Sequence, residues 1–332
     1  MSIVCEKIQD KEVQEKANFG GCYEFILLKN IKWNKDRSCF HTHLFRDRIE
    51  SYYNFEVRPD DVFLVSFPKS GTTFSQEMVW QISQGIDFET PKVQPQEIRF
   101  PHLEMNSMFA KEMLDFPDRY AILNERKTQR FIKSHLPAPF LPKQVWSVKP
   151  KIIYVARNAK DTAISYYHFY KHAGQNQASL REFLDFFMND NVLYGPYHNH
   201  VIDFWQMRNE ENIHFITFQD MKRDLPSVIE KTAKFLGKSL SKEQILTLAD
   251  YLSFDTFSKN TSVNREDMFL QLCNTMNLDR EKQDYNFIRK GKSGSFREEM
   301  PEDLIEKFNE WTLRETEKAN VDPEIQSVFF GV

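Results

Sequence analysis

The chain is poor in the features that mark secreted, membrane-spanning and metal-binding proteins. Only four cysteines (Cys5, Cys22, Cys39 and Cys273) occur in 332 residues, with no C-x-x-C pair and no histidine at metal-ligand spacing. We therefore expect reduced thiols. There is no apolar stretch of signal-peptide length at the start and no run of about 18 apolar residues anywhere. These absences predict a cytoplasmic protein without a membrane partner.

The charge balance offers no generally basic surface. Lys and Arg number 44 against 48 Asp and Glu, a formal net charge of −4, which argues against a nucleic-acid partner but allows a local basic pocket. Repeats, low-complexity tracts and Gly/Ser-rich or Pro-rich linkers are also lacking, so we predict one domain over 1–332. What is abundant is Phe, with 30 copies. A Phe-packed core explains this most simply, and an apolar pocket lined by some of the rings is the alternative.

Short apolar runs alternate with segments of helical spacing. Strand candidates occupy 61–67, 151–156 and 213–218, and 130–137 is predicted as a strand that ends in a loop. Helical spacing occurs in 74–82, 163–170, 180–187, 226–236, 241–250 and 304–311. This alternation predicts an α/β fold, a single domain with a central, mainly parallel sheet flanked by helices on both faces. Ligands bind beyond the carboxyl ends of such strands, which directs attention to the loops 67–74 and 156–162.

The first of these loops reads Pro68-Lys69-Ser70-Gly71-Thr72-Thr73-Phe74. Gly71 allows a tight turn, the two threonines add hydroxyl donors at a helix N-terminus, and Lys69 adds a positive charge, so the loop can cradle a phosphate. The Lys precedes the Gly, unlike in a Walker A motif, which weakens a kinase or ATPase hypothesis that would require Mg²⁺. A plain turn with a helix cap is the structural alternative.

Two further blocks offer anion-binding groups. Arg157-Asn158-Ala159-Lys160-Asp161 opens the helix after the second strand, with Ser165 in that helix, and Arg289-Lys290-Gly291-Lys292-Ser293-Gly294 lies near the C-terminus. Guanidinium groups match phosphate oxygens, and Gly291 lets backbone N–H groups approach an anion.

Together, the three blocks resemble the signature segments of the cytosolic sulfotransferase family, and the resemblance extends over about 40–312. It implies a P-loop-like nucleotide-binding core in which the first loop holds the 5′-phosphosulfate of PAPS (3′-phosphoadenosine 5′-phosphosulfate). It also implies that Arg157 and Ser165 hold the 3′-phosphate and that the block from Arg289 to Gly291 closes over it. PAP would be the nucleotide product.

The segment Lys133-Ser134-His135-Leu136-Pro137 is similar to the family's K-T-H-L-P, with Ser134 in place of Thr. The resemblance makes His135 the catalytic base, and a neutral imidazole can deprotonate a hydroxyl near neutral pH. Lys133 would stabilise charge on the transferring group or the bridging oxygen, and Lys69 would neutralise the leaving phosphate. The resemblance implies that Ser165 holds Lys69 away from the bridging oxygen until the acceptor binds. We expect no metal and no covalent enzyme intermediate.

The chain departs from the family pattern around the adenine. Phe74 replaces a stacking Trp, Phe218 replaces a Tyr, and Ser253 and Phe254 occupy a segment that often contributes Thr-Ser-Phe. These changes predict altered packing of the base and intact anion contacts. The family's dimer motif aligns with 297–306 but lacks its Thr-Val core, so a homodimer through that contact is doubtful.

Three segments rich in aromatic residues and Met, 40–55, 100–116 and 264–287, are candidate walls of an acceptor pocket. They favour transfer to a hydroxyl or amine of a small lipophilic acceptor such as a phenol, steroid or retinoid-like alcohol. One alternative on the same fold is a dehydratase that acts on an allylic alcohol such as retinol through a transient sulfate ester. A non-catalytic binder of nucleotides or lipophiles is a further alternative.

Overall fold

Two β-sheets and a series of helices form the part of the chain that the computed structural model describes, residues 2–33, 37–282 and 285–331. Two of the predicted regions extend beyond the described residues. These are the acceptor segment 264–287, at residues 283 and 284, and the domain predicted over 1–332, at residues 1, 34–36 and 332 as well. The strands are β1 (Ile3–Lys7), β2 (Phe25–Asn30), β3 (Ser38–Thr42), β4 (Val62–Val65), β5 (Phe131–Ser134), β6 (Lys151–Ala156) and β7 (Ile213–Thr217). The helices are α1 (Lys11–Lys16), α2 (Ile49–Tyr53), α3 (Thr72–Ser83), α4 (Thr90–Val93), α5 (Gln96–Arg99), α6 (Arg119–Glu125), α7 (Val145–Val148), α8 (Ala159–His172), α9 (Leu180–Met188), α10 (Tyr197–Gln206), α11 (Phe218–Arg223), α12 (Leu225–Leu236), α13 (Lys242–Tyr251), α14 (Phe254–Phe257), α15 (Glu266–Thr275), α16 (Glu302–Ala319) and α17 (Ile325–Phe330). None of these helices is both long and apolar enough to cross a membrane.

The central sheet is parallel throughout its four strands, in the order β5-β4-β6-β7. Val65 at the end of β4 lies opposite Ser134 of β5 and Tyr154 of β6, and Ala156 lies opposite Thr217. The carboxyl ends of all four strands therefore meet at one edge, where the phosphate loop, the His135 segment and the Arg157 segment all begin. The predicted α/β fold is confirmed.

Successive residues of the strands enter two different cores. Leu64 and Ile153 pack in a cluster with side chains of α3, α12 and α13, whereas Phe63 and Ile152 pack in a second cluster with side chains of α8, α9 and α16. Helices thus cover both faces of the sheet. A strand buried on both faces reads as a continuous apolar run, which is why the sequence predicted these strands.

Two predicted strands are shorter in the structure. The strand predicted at 213–218 ends at Thr217, because its side chain accepts a hydrogen bond from the N–H of Asp220 over 3.0 Å and caps α11. Phe218 consequently begins a helix. The strand predicted at 61–67 pairs only from Val62 to Val65, and the chain then turns away into the phosphate loop.

A three-stranded antiparallel sheet, ordered β1-β2-β3, precedes the central sheet and was not predicted. Its Phe25 and Phe40 rings stack with centroids 5.2 Å apart and join the larger core. The main chain of Phe40 donates to the carbonyl of Gly195 over 2.9 Å and accepts from the N–H of Tyr194 over 2.8 Å. These bonds attach the N-terminal sheet to the segment that leads into α10.

Candidate active site

A cleft opens at the carboxyl edge of the parallel sheet and contains most of the predicted site residues. Those that line it are Lys69, Gly71, Thr72, Thr73, Phe74, Lys133, His135, Arg157, Ser165, Phe218, Phe254, Arg289, Lys290 and Gly291. Ser70 and Ser253 do not line it. Ser70 is a buried residue of the phosphate loop. Ser253 precedes α14, and its hydroxyl is bonded to that of Thr256 over 3.1 Å. Segments far apart in the sequence therefore share one cleft.

The first loop needs a glycine at its turn. Gly71 has φ 103°, in the left-handed region, and immediately precedes α3. A Cβ at this position would lie 2.6 Å from the ring of Phe218. The turn brings the free N–H groups of the first turn of α3 to the cleft, where they can bind an anion.

The side chains of Lys69 and Lys133 place two ammonium groups in the cleft. The ammonium group of Lys69 lies 4.0 Å from the centroid of Phe287 and 4.9 Å from that of Phe169. Burial, followed by the charges of Lys133 and nearby arginines, lowers the pKa of Lys69 to about 7. Burial and then the charge of Arg265 also lower the pKa of Lys133 to about 7. Such crowding of cations is unfavourable unless a polyanion fills the cleft.

Arg157 and Asp161 tie the phosphate loop and the C-terminal block together. Arg157 donates to the carbonyl of Lys69 over 3.3 Å and to that of Lys292 over 3.0 Å. Asp161, one helical turn later, accepts from the N–H groups of Gly294 at 2.7 Å and Phe296 at 2.9 Å. This role of Asp161 was not predicted from the sequence.

Glu299 orients the cations of the C-terminal block. It forms ion pairs with Arg289 and with Lys290 at 2.7 Å, and its carboxylate lies 2.5 Å from Nε2 of His168. Burial opposes ionisation of this carboxyl group, but hydrogen bonds from these three side chains lower its pKa to about 2. Glu299 was missed because nothing local in the sequence marks it.

Gly291 adopts φ 61° beside the ring of Phe254, which leaves no space for a Cβ.

A cluster of aromatic rings lies next to Arg157. Its guanidinium group lies 4.6 Å from the centroid of Phe218, and the ammonium group of Lys222 lies 4.7 Å from that of Phe74. Phe257 packs on Phe74 with centroids 5.3 Å apart. Lys222 and Phe257 also line the cleft and were not predicted.

The position of His135 determines which ring nitrogen is available. Its Nδ1 lies 2.7 Å from the main-chain carbonyl oxygen of Ser66, which can only accept, so Nδ1 carries the proton and Nε2 has a free lone pair. Burial, then the charges of Lys133 and His102, hold the pKa of His135 well below its usual value. The imidazole is therefore neutral near pH 7, as a general base must be.

Glu104 fixes the main chain at His135. Its Oε1 accepts from the N–H of His135 over 2.5 Å and from the hydroxyl of Ser134 over 3.2 Å, and it lies 2.9 Å from Nε2 of His102. Burial raises the pKa of Glu104 to about 7 against these hydrogen bonds. On the other side, Nε2 of His200 donates to the carbonyl oxygen of His135 over 2.8 Å. From the sequence, 100–116 was predicted only as a wall of the acceptor pocket, so this role of Glu104 was missed.

The apolar part of the remaining walls comes mainly from two of the three predicted segments. It includes Met105, Met108, Phe116 and Met268, together with the rings of Phe169 and Phe287. The third segment, 40–55, does not line this cleft, because Phe45, Tyr52 and Phe55 are buried in the core. That prediction was wrong, since large apolar side chains fill cores as readily as pockets.

Known proteins resemble this chain in sequence and in fold. The family model described as "Sulfotransferase domain" matches residues 59–320. Luciferin sulfotransferase of Photinus pyralis is 37% identical over 277 residues, which are 80% of this chain and 74% of that protein. Retinol dehydratase solved with retinol and PAP is 26% identical with a TM-score of 0.83, covering 95% of this chain and 97% of that one. Its complex with androsterone and PAP has a TM-score of 0.85 at 26% identity and covers 98% and 99% of the two chains. The chain therefore belongs to the sulfotransferase family.

Proposed function

We propose that this enzyme transfers the sulfuryl group of PAPS to a hydroxyl of a small lipophilic acceptor and releases PAP. The observation that carries the proposal is the hydrogen bond from Nδ1 of His135 to the carbonyl of Ser66. It leaves Nε2 as an unprotonated base in a cleft that cations line on the nucleotide side and mainly apolar side chains line on the other.

The cationic side fits a nucleotide with two anionic groups. Lys69 and the first turn of α3 would hold the 5′-phosphosulfate, while Arg157, Ser165 and the Arg289 block would hold the 3′-phosphate. The rings of Phe74 and Phe218 would pack against the adenine. The solved retinol dehydratase complexes contain PAP, which supports the same nucleotide for this chain.

The proposed reaction is an in-line displacement. Nε2 of His135 takes the proton of the acceptor hydroxyl as its oxygen forms a bond to sulfur. The bond between sulfur and the bridging oxygen breaks, and its electron pair stays on the 5′-phosphate of PAP. Lys69 neutralises that charge, and Lys133 stabilises the transferring group. A hydrogen bond between Ser165 and Lys69 is absent among the described residues, so the gating role of Ser165 stays a prediction about the nucleotide-bound enzyme.

A second candidate is net dehydration of an allylic alcohol. It is favoured by the similarity to retinol dehydratase over 95% of this chain. The same first step would give a sulfate ester, which then loses sulfate. Mass spectrometry of the product of retinol separates the two functions, because sulfonation adds a sulfuryl group and dehydration removes water.

A transfer assay with radiolabelled PAPS tests the proposal across phenols, sterols, retinoids and amines. We expect label to pass to at least one lipophilic alcohol or phenol and the transfer to persist in EDTA, since no step uses a metal. Binding of PAP without transfer to any acceptor would contradict the proposal and favour a non-catalytic binder. Transfer that stops in EDTA would contradict the proposed metal-free mechanism.

A further inference from the structure

The acceptor side of the cleft contains two arginines and one carboxylate. Arg119, Arg265 and Glu97 all line the cavity. Arg265 forms an ion pair with Glu97 through Nη1. Arg119 forms no ion pair with any residue that the structure describes, and although the charge of Glu97 also acts on it, the two arginines share this one carboxylate.

The guanidinium group of Arg119 is buried as well as unpaired. The residue is only 5% exposed, and its Nη1 has no hydrogen-bond partner within 2–33, 37–282 and 285–331. Its main-chain N–H is bound by Asn106 over 3.1 Å at the start of α6, which fixes the backbone but does not satisfy the side chain. Buried charged groups are normally paired and hydrogen-bonded, so this group calls for a ligand.

Arg119 lies on the acceptor side of the catalytic centre. Its charge and that of Arg265 both lower the pKa of His102, after burial and Lys133. The ring of His102 packs edge-on against that of His135, with centroids 4.9 Å apart. Arg157 and Arg289, the proposed 3′-phosphate ligands, line the nucleotide half of the cleft, where the charge of Arg289 acts on Arg157. An acceptor whose hydroxyl reaches His135 would thus extend past His102 toward Arg119.

We infer that the acceptor bears an anionic group, a carboxylate in the simplest case, at the end remote from its reacting hydroxyl, and that Arg119 binds this group. The inference rests on the proposed function and narrows its substrate class to lipophilic hydroxy acids. A guanidinium fork can hold a carboxylate through two parallel hydrogen bonds, and Arg265 adds charge nearby. The methionines and Phe116 would contact the apolar body between the two polar ends.

The test compares pairs of ligands that differ by one carboxylate: para-hydroxybenzoate with phenol, and para-hydroxyphenylacetate with para-cresol. Binding is measured calorimetrically on the PAP-bound protein, where no transfer can occur, and sulfonation is measured separately with PAPS. We expect the acid of at least one pair to bind about tenfold or more tightly than its neutral partner, and Arg119→Gln to abolish that preference. Glu97→Gln, which removes the competing carboxylate, should increase the preference.

The outcomes separate this inference from the proposed function. Equal binding of acid and neutral ligands, weaker or absent binding of the acids, or a preference that Arg119→Gln leaves unchanged would overturn the anion site. Selective binding of an acid without sulfonation of any acceptor would support the anion site and overturn the proposed function. Retained PAP binding shows that each variant is folded, and Arg119→Lys should keep part of the preference because it keeps the charge.

Discussion

The Nδ1–H of His135 donates a hydrogen bond to the carbonyl oxygen of Ser66, which directs Nε2 into the cleft. His135→Ala should therefore lower kcat by at least about 10²–10⁴-fold, because the acceptor hydroxyl loses its base. PAP affinity should stay close to wild type, as measured by calorimetry. His43→Ala is the matched control and should retain turnover, because His43 is a half-buried histidine outside the cleft that is bonded to the carbonyl of Glu24. Substantial turnover by His135→Ala would remove His135 from the mechanism.

Glu104 is expected to act through His135 as a positioning residue. In Glu104→Ala, the buried N–H of His135 loses its acceptor, which costs about 1–3 kcal/mol of stability and should lower kcat. In Glu104→Gln, the side-chain carbonyl can still accept that hydrogen bond, so most of both losses should be rescued. Thermal unfolding and steady-state kinetics measure the two effects. Equal damage by the two substitutions would show that the negative charge matters and not the hydrogen bond.

Gly71→Ala tests the turn of the phosphate loop. A left-handed backbone costs about 1–2 kcal/mol for a residue with a Cβ, and here that atom would also strike Phe218. Gly85→Ala is a suitable control, because Gly85 has φ 73° with nothing within 4 Å of an added Cβ. We expect both variants to be less stable and only Gly71→Ala to lose PAP affinity. Similar PAP affinity in the two variants would separate the turn from nucleotide binding.

Nucleotide affinity should fall as pH rises above 7. Burial lowers the pKa of Lys69 and Lys133 to about 7 in the empty cleft, so both lose protons above this pH. Bound phosphate and sulfuryl oxygens favour the ammonium forms and raise both pKa values, so binding takes up protons there. Each lysine then weakens binding by up to about tenfold per pH unit.

Calorimetry with PAP in two buffers of different ionisation enthalpy measures both the affinity and the number of protons taken up. Lys69→Met should bind PAP more weakly at pH 7 and show a shallower dependence on pH. A constant affinity between pH 7 and about 9, with no proton uptake, would mean that both lysines are already neutral or already charged in both states.

Local sequence patterns were enough to predict the parallel sheet and the anion-binding blocks. The apolar runs of β4 and β6 and the Lys69 to Thr73 loop each contain their own signal. Asp161, Glu104 and Glu299 could not be assigned in the same way, because each acts on main-chain or side-chain groups that only the fold brings near. The N-terminal sheet depends on pairing between strands that are separated by a helix, and β1 has mostly exposed or half-buried side chains without a clear alternation.

The two halves of the cleft come from different kinds of segment. In the donor half, Lys69, Thr72 and Arg157 lie where β4 and β6 lead into α3 and α8, so the sheet fixes their positions. In the acceptor half, Arg119 in α6, Met268 in α15 and Met105 follow no strand of the central sheet directly. Acceptor preference should therefore be transferable between relatives. When 105–119 and 265–276 are replaced by the equivalent segments of a relative, the chimera should accept that relative's substrates and still bind PAP.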